Sequence, residues 1–160
     1  MSRARAALLL LADGRFPAGG YAHSGGLEQS IRTGRISNIV DLQCFLQGRA
    51  TTAGLVSAAF AAAACRAFAT PNADRLDLLE AELDARIPSP ALRDVSRTLG
   101  RQLRRAIARM RPDARLDDLG RAPHQPVALG AAAAVLGAGP HDAAAAALHE
   151  TVTGPATAAV

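Results

Sequence analysis

The residues best suited to chemistry lie at positions 16–28, where the sequence reads FPAGGYAHSGGLE. This stretch combines four glycines, the only tyrosine of the chain, a histidine and a serine, whereas the rest of the chain is dominated by Ala, Leu and Arg. Glycine lets the backbone adopt positive φ and approach another molecule closely. Three kinds of site could explain the stretch: a phosphate-binding loop, a catalytic serine turn or a surface that docks another protein.

The absence of lysine argues against the phosphate-binding loop. All 18 basic residues of the chain are arginine. A P-loop needs a lysine after its glycines to reach the β and γ phosphates of a nucleotide. Schiff-base and pyridoxal-phosphate chemistry also need a lysine amine. The sequence therefore predicts neither a Walker-type nucleotidase nor an enzyme of these two classes.

Ser24 is the candidate nucleophile, because the segment AHSGG at 22–26 is one residue away from the G-x-S-x-G turn of hydrolases. That turn follows a buried strand, whereas a leucine run and a Pro-Gly loop precede Ser24. A simpler role is that Ser24 or Gly25 caps the next helix, with Glu28 in the favourable first turn. The docking surface is the favoured interpretation, and a hydrolase built on Ser24 remains an alternative.

The four histidines show no chelating pattern. His141 and His149 are eight residues apart, which is about 12 Å along a helix at 1.5 Å per residue. His23 and His124 are isolated in the sequence. No metal site and no cofactor are therefore predicted.

The elements that must position these residues are helices. At 160 residues the chain is predicted to be one domain with a substantial core. Aromatic residues make up only 3%, tryptophan is absent and alanine is abundant, which favours an all-α bundle of about seven or eight helices. Cys44 and Cys65 lie in apolar helical runs without a C-x-x-C motif, so both are predicted to be reduced core residues of a cytoplasmic protein.

No membrane span is predicted. Arg3 and Arg5 precede the run AALLLLA and imitate a secretory signal, but no cleavage site follows, so this run is predicted to be the first helix. The other apolar runs, at 53–65 and 127–139, are shorter than the roughly 18 residues that a span needs.

The first half of the chain predicts a series of short helices. Gly34 ends the helix after the loop, and Asn38 caps the next one with Asp41 three residues later. Residues 48–54 are predicted to bend or break this helix before a buried core helix at 55–68. Before the break, one apolar face is predicted, formed by Ile39, Leu42, Phe45 and Leu46. The helix after the core helix is predicted to have an acidic, solvated face, formed by Asp74, Asp77, Glu80, Glu82 and Asp84.

The segment 90–110 predicts the most regular amphipathic helix, with Ser89 as its N-cap and Pro90 as its first residue. Its apolar stripe consists of Leu92, Val95, Leu99, Leu103, Ala106 and Met110, and its opposite, basic face of Arg93, Arg97, Arg101, Arg104 and Arg105. Such a face is either solvated, or contacts phosphates, an anionic membrane or an acidic protein.

The basic face and the sequence pI of about 10.4 suggest a second function, a helical nucleic-acid-binding protein. The net charge of only +4, the lack of lysine and the lack of interleaved aromatic residues argue against it.

The last third of the chain predicts a connecting loop at 112–123 and then two helices. The first, at 127–136, consists of small residues, and another helix can approach it at Gly130. The last helix is predicted to start at Pro140.

Three segments together resemble the urease accessory protein UreF family. In the first, FPAGGYAHSGGLEQSIRTGRI, the matching residues are Pro17, Gly19, Gly20, Tyr21, Ser24, Gly26, Leu27 and Glu28. The second is LRDVSRTLGRQL at 92–103, with Arg93, Ser96 and Gly100, and the third is HQPVALGAAAAVLG at 124–137. The resemblance spans nearly the whole chain in one order; only 51–88 matches in helical character alone.

The resemblance implies a non-enzymatic, all-α adaptor of urease maturation. Its implied partners are the GTPase UreG, the accessory protein UreD (also called UreH), the urease apoprotein and a second copy of the chain. No membrane partner is expected, and a nucleic-acid partner is not favoured. Relative to the family pattern, the single domain at 1–160 lacks the C-terminal helices and tail, which puts docking through that region in doubt. The residues expected to bind partners are Pro17, Gly19, Gly20, Tyr21, Ser24, Gly26, Glu28, Arg93, Ser96 and Gly100.

Overall fold

Eight α-helices make up most of the part of the chain that the structure, a computed structural model, describes: residues 3–13, 16, 24–70 and 73–158. They are α1 Arg3–Leu11, α2 Leu27–Arg32, α3 Ile39–Arg49, α4 Leu55–Ala69, α5 Ala73–Arg86, α6 Pro90–Met110, α7 Gln125–Leu136 and α8 Pro140–Ala158. A π-helical turn, Ala50–Gly54, joins α3 to α4, and a 3-10 helix, Ala114–Leu119, lies between α6 and α7. No strand occurs in these described ranges, so the all-α prediction is confirmed.

Helix α7 lies at the centre of the bundle, packed against α4, α6 and α8. Nearly all of its residues are buried, because Ala, Val and Leu leave it apolar on every side. A Cβ atom added at Gly130 would lie 2.2 Å from the carbonyl oxygen of Ala61 in α4. Only glycine allows this spacing of α4 and α7, so the close approach predicted at Gly130 is confirmed.

Helices α3 and α4 form one continuous helical run, because the π-helical turn keeps the chain helical through Gly54. Residues 48–54 were predicted to bend or break the helix; no break occurs, and the irregularity in this segment is the π-helical turn. The run, Ile39–Ala69, is 31 residues long and apolar enough to span a membrane by length and composition alone, which corrects the estimate that every apolar run is too short. Of its most apolar window 44% is buried, and its α4 half packs against α7 and α8, as a core helix does.

Helix α3 contains no buried residue. Ile39 is 74% exposed, and Cys44 is exposed as well, so the prediction of a core Cys44 is wrong. The prediction for Cys65 is confirmed, since that thiol is free and buried in α4. At the start of α3, the Asn38 side chain accepts hydrogen bonds from the backbone N–H groups of Val40 and Asp41, which confirms the predicted cap.

Helix α6 begins as predicted, with the Ser89 hydroxyl accepting a hydrogen bond from the N–H of Leu92. Its buried stripe is shorter than predicted: Leu99, Leu103 and Ile107 are buried, whereas Leu92 and Met110 are about half exposed. The segment after α6 was predicted to be a plain loop. It instead forms the 3-10 helix, which buries two leucines, Leu116 and Leu119.

Candidate functional site

The described end of the glycine-rich stretch, Ser24–Gly26, lies at the surface and leads into α2. Gly26 is the N-cap and adopts the left-handed region, at φ 96°. The Ser24 hydroxyl accepts a hydrogen bond from the N–H of Glu28, and the Ser24 carbonyl accepts one from Leu27. Leu27 is fully buried and anchors the turn, so Gly26 and Glu28 are left exposed to solvent.

Arg49 ties this turn to the far end of the chain. Its Nη1 donates to the carbonyl oxygen of Gly25 at 2.9 Å, and its Nε donates to that of Thr151 in α8 at 3.3 Å. Gly25 has φ 59°, and a Cβ atom there would lie 2.5 Å from Cζ of Arg49. Burial lowers the pKa of Arg49, but an arginine remains charged at neutral pH.

A cavity of about 510 Å³ opens beside this turn, and we call it the central cavity. Its wall includes Ser24, Arg49, Arg86, Ser96 and Glu150, which come from the loop before α2 and from α3, α5, α6 and α8. Most of the remaining wall is small or apolar residues, which come from the turn, from α4 to α8 and from the segments that join them. The fold therefore brings Ser24 and Ser96, which are remote in sequence, to one concave surface.

Behind Ser96, a fully buried histidine joins three helices. His124 Nε2 lies 2.8 Å from Oδ1 of Asp84 in α5, and Nδ1 lies 3.0 Å from the Ser96 hydroxyl in α6. Burial lowers the pKa of His124 in spite of the Asp84 hydrogen bond, so the ring is neutral at pH 7. A carboxylate only accepts, so Nε2 carries the proton and Ser96 donates to Nδ1. Since Ser96 also accepts from the N–H of Gln125, its hydroxyl fixes the register of α6 and α7.

Glu80 of α5 completes this network. Its two carboxylate oxygens accept from the N–H of His124 at 2.9 and 3.1 Å, and Arg97 donates to one of them at 3.2 Å. Burial raises the pKa of Glu80 to about 7, although the hydrogen bonds from His124 and Arg97 act to lower it.

Asp84 of α5 is bound in the same network. Arg97 binds Asp84 at 2.6 Å. Burial acts to raise the pKa of Asp84, but hydrogen bonds from His124 and Arg97 together bring it below its usual value. Glu80 and Asp84 thus bind partners within the protein, and the prediction that they are merely solvated is wrong.

Glu150 of α8 forms part of the wall of the central cavity without a charged partner. One carboxylate oxygen accepts from the side-chain amide of Gln125, and the other, Oε1, is buried with no hydrogen-bond partner among the described residues. Burial raises the pKa of Glu150 to about 8, against the hydrogen bond from Gln125. The group is therefore mainly a neutral carboxylic acid at pH 7.

In the described ranges, no group of three or more His, Cys, Asp or Glu side chains is placed to hold a metal ion. The polar groups that could contact a bound molecule are instead those of the central cavity, where arginine, serine and carboxylic acid side chains interrupt an apolar wall. Such a surface can bind a group by hydrogen bonds and charge, and it suits recognition.

Comparisons with known proteins agree on one family. The sequence pattern of the UreF family matches residues 36–160. The urease accessory protein UreF of Mycobacterium sp. (strain JLS) is 46% identical over 153 residues, which cover 95% of this chain and 70% of the relative. That of Mycobacterium marinum (strain ATCC BAA-535 / M) is 45% identical over 155 residues, and that of Mycobacterium tuberculosis (strain ATCC 25618 / H37Rv) is 42% identical, each covering 96% of this chain and 71% of the relative. The chain belongs to the UreF family. No solved structure matches it.

Of the residues that the resemblance to the UreF family singled out, Ser24, Gly26 and Glu28 lie at the surface turn, and Ser24, Gly26 and Ser96 line the central cavity. Gly100 is buried, and a Cβ atom there would lie 2.0 Å from the carbonyl oxygen of Pro123. It can therefore act only through the spacing of α6 and the segment before α7. The predicted residues Pro17, Gly19, Gly20 and Tyr21 lie outside the described residues.

Most arginines of the predicted basic face of α6 bind other parts of this UreF-family chain. Arg93 Nη1 donates to the carbonyl oxygen of Ile87 at 2.6 Å, just beyond the end of α5. Arg97 binds Glu80 and Asp84, as described above. Arg104 donates to Leu116 at 2.8 Å and binds Asp117 at 2.7 Å. Three of the five arginines of the predicted basic face thus hold neighbouring elements, so this face is not simply solvated.

Sequence reasoning missed Arg49, His124 as part of a network, and Glu150. An isolated arginine at the end of an apolar helix, a lone histidine shortly before a proline and an acid in the middle of an alanine-rich helix carry no motif. The one available signal was that Glu150 is the only acidic residue after Asp142. An acid on a helix otherwise built from small residues is a candidate for burial.

Proposed function

We propose that the chain is a non-catalytic adaptor of urease maturation, which bridges the GTPase UreG to UreD (UreH) and the urease apoprotein during assembly of the nickel centre and modulates the GTPase. Membership of the UreF family supports the role in urease maturation. The adaptor role is supported by the convergence of Ser24, Gly26 and Ser96 on one open cavity. Hydrolysis of GTP is assigned to UreG, in keeping with the absence of lysine from this chain.

The surface around the central cavity suits protein binding. Glu28 is exposed on α2 next to the turn, and the Ser24–Gly26 backbone is held in place by Arg49. A second exposed region, which does not line the cavity, lies at the start of α3, where Ile39 and Val40 are 74% and 63% exposed; exposed apolar surface of this kind is characteristic of interaction sites. A homodimer, a cytoplasmic location and the absence of membrane and nucleic-acid partners are parts of the same proposal.

Co-purification with UreD and UreG tests the proposal, with wild type compared with Glu28→Ala. Glu28 is exposed and contributes its side chain to no packing in the core, so the variant should keep its helicity by circular dichroism. Recovery of the two partners should fall by about fivefold or more, the loss expected for an interface residue worth about 1 kcal/mol.

Asp94→Ala is the matched control, because Asp94 is an exposed acid on α6 that is not part of the cavity wall. It should recover both partners as wild type does. Equal recovery by wild type and Glu28→Ala would remove Glu28 from the interface, and no recovery of either partner by wild type would contradict the adaptor role.

A further inference from the structure

The polar groups of the central cavity are unusual because they can all donate hydrogen bonds at neutral pH. Arg49 carries a positive charge and makes no ion pair with a carboxylate of the described residues; its two bonds go to the carbonyl oxygens of Gly25 and Thr151. Ser24 and Ser57 contribute hydroxyl groups to the wall. The charge of the half-buried guanidinium thus lacks a counter-ion in the described part of the chain.

Glu150 adds a donor and not a negative charge. Since one of its oxygens accepts from Gln125, the proton of the neutral acid belongs on Oε1. Oε1 is buried and has no partner among the described residues. A buried polar atom without a hydrogen bond is uncommon and costly in a folded protein. The neutral acid therefore does not balance the charge of Arg49.

The other titratable groups of the described cavity wall add no negative charge. They are Arg49 and Arg86, and both are cations. Arg86 is paired with Glu82 and lies over the ring of Phe60. The segments of α4, α6 and α7 that line the cavity contribute no ionisable side chain. The cavity is therefore a pocket with one unbalanced positive charge, one neutral acid and a mainly apolar wall.

We propose that the central cavity receives an acidic side chain with apolar neighbours, presented by a protein partner of the complex. Its carboxylate would pair with Arg49, while its aliphatic part contacts the apolar wall. Charge complementarity decides for an acid: an incoming ammonium or guanidinium group would meet two arginines and a neutral carboxyl group. This inference rests on the proposed adaptor function, since it specifies the chemistry that the partner brings.

The cavity has room for such a group. Its volume of about 510 Å³ falls within the roughly 300–1,000 Å³ of ordinary small-ligand pockets. A carboxylate paired with a guanidinium that is shielded from water forms a charge-assisted hydrogen bond, which is stronger than a neutral one. The proton on Glu150 gives the site a pH limit, because its ionised form would repel the incoming carboxylate.

Binding of hexanoate to the isolated protein tests the cavity without any partner. Hexanoate, hexylammonium and hexanamide carry the same chain with a negative, positive or neutral head, and each is titrated at pH 6.5 by NMR. Hexanoate should bind about tenfold more tightly than hexylammonium, as expected when a charge pair replaces a charge repulsion. Tighter binding of hexylammonium, or equal binding of all three probes, would overturn the proposal.

Substitutions locate the site. Arg49→Gln should weaken hexanoate binding about tenfold, and Arg66→Gln, an exposed arginine of α4 outside the cavity, should leave it unchanged. Glu150→Gln stays uncharged at every pH, so it separates the ionisation of Glu150 from other effects of pH on binding. At pH 9.5 wild type should lose affinity about tenfold, whereas Glu150→Gln should not. Because Arg49 also holds the turn, Arg49→Lys, which keeps the charge, should retain part of the binding; hexanoate affinity that is the same in all four variants would overturn the assignment.

Co-purification separates this inference from the proposed function. An excess of hexanoate, and the Arg49→Gln substitution, should each reduce recovery of UreD and UreG, while Arg66→Gln should not. Recovery that is unaffected by hexanoate, although hexanoate binds the isolated protein, would make the occupant a free aliphatic acid and overturn the proposed partner. Loss of the adaptor function itself would appear differently, as a failure of wild type to recover either partner without hexanoate.

Discussion

At the scale of single residues, Glu150 should make stability depend on pH. Its pKa is about 8 in the folded protein against an ordinary value of 4.5, so the folded state holds the proton more tightly than the unfolded state does. The stabilisation is fully present below about pH 4.5 and is lost as the pH rises through 8. At 1.36 kcal/mol per pKa unit, this loss is roughly 3–5 kcal/mol by pH 9.

Glu150→Gln should remove this loss, because glutamine resembles the neutral acid and does not ionise. The free energies of unfolding from urea titrations, followed by circular dichroism, should agree for the two proteins near pH 5 and diverge up to pH 9, with the variant more stable. The contribution of Glu80, whose pKa is also raised, is common to both proteins and cancels in the difference. Parallel pH profiles would show that Glu150 ionises as freely in the folded protein as in the unfolded one.

Asp84 should contribute more to the stability of the folded protein than its partial exposure suggests. It accepts the proton of the buried His124 and also binds Arg97, so Asp84→Ala leaves a buried N–H group without a partner. We expect a loss of about 1–3 kcal/mol in the free energy of unfolding, measured by urea titration at pH 7. Asp77→Ala is the control from an exposed position of the same helix and should change stability by less than about 0.5 kcal/mol. A similar effect of both substitutions would mean that the histidine network adds little.

At the scale of helices, two glycine substitutions should act in opposite directions. Gly130→Ala forces α4 and α7 apart, because the new Cβ atom would lie 2.2 Å from the carbonyl oxygen of Ala61. We expect a loss of at least about 2 kcal/mol, as for other overpacked cores. Gly48→Ala lies in α3 with open space around it, and it should gain about 0.5–1 kcal/mol from helix propensity. Thermal unfolding of both variants tests the pair, and a stabilising Gly130→Ala would contradict the close packing of α4 and α7.

The arginines of α6 also act at the scale of helices, because they bind the neighbouring elements. Arg93, Arg97 and Arg104 bind the end of α5, the acids of α5 and the 3-10 helix, respectively, so the helix holds together the elements around it. A helical wheel places these side chains on the polar face correctly, but it does not show which neighbouring elements cover that face.

At the scale of the whole molecule, the overall positive charge should give only weak binding to nucleic acid. The net charge is +4, and three of the arginines that a basic face would use are bound within the protein. Fluorescence anisotropy with duplex DNA should show affinity no stronger than ordinary non-specific binding, with a dissociation constant of about 10⁻⁶ M or weaker at physiological salt. Tight association that weakens steeply between 50 and 200 mM salt would instead support the nucleic-acid function.

The sequence by itself determined the helical class, most helix ends and the close approach at Gly130. These features depend on local properties, such as alanine content, the capping side chains of Asn38 and Ser89, and the spacing of apolar residues, which short segments carry on their own. It also selected Ser24 and Ser96 as candidate residues through the UreF resemblance, but it gave no indication that they share a cavity.

The tertiary structure alone decided which polar residues meet. His124 lies 28 residues from Ser96 and 40 from Asp84 along the chain, and Arg49 and Thr151 are 102 residues apart. Periodicity also could not show that α3 leaves large apolar residues exposed, or that one carboxylate oxygen of Glu150 is buried with no hydrogen-bond partner among the described residues. Burial and pairing of a side chain depend on which other elements pack against it, and contacts between distant segments are absent from the local pattern of a sequence.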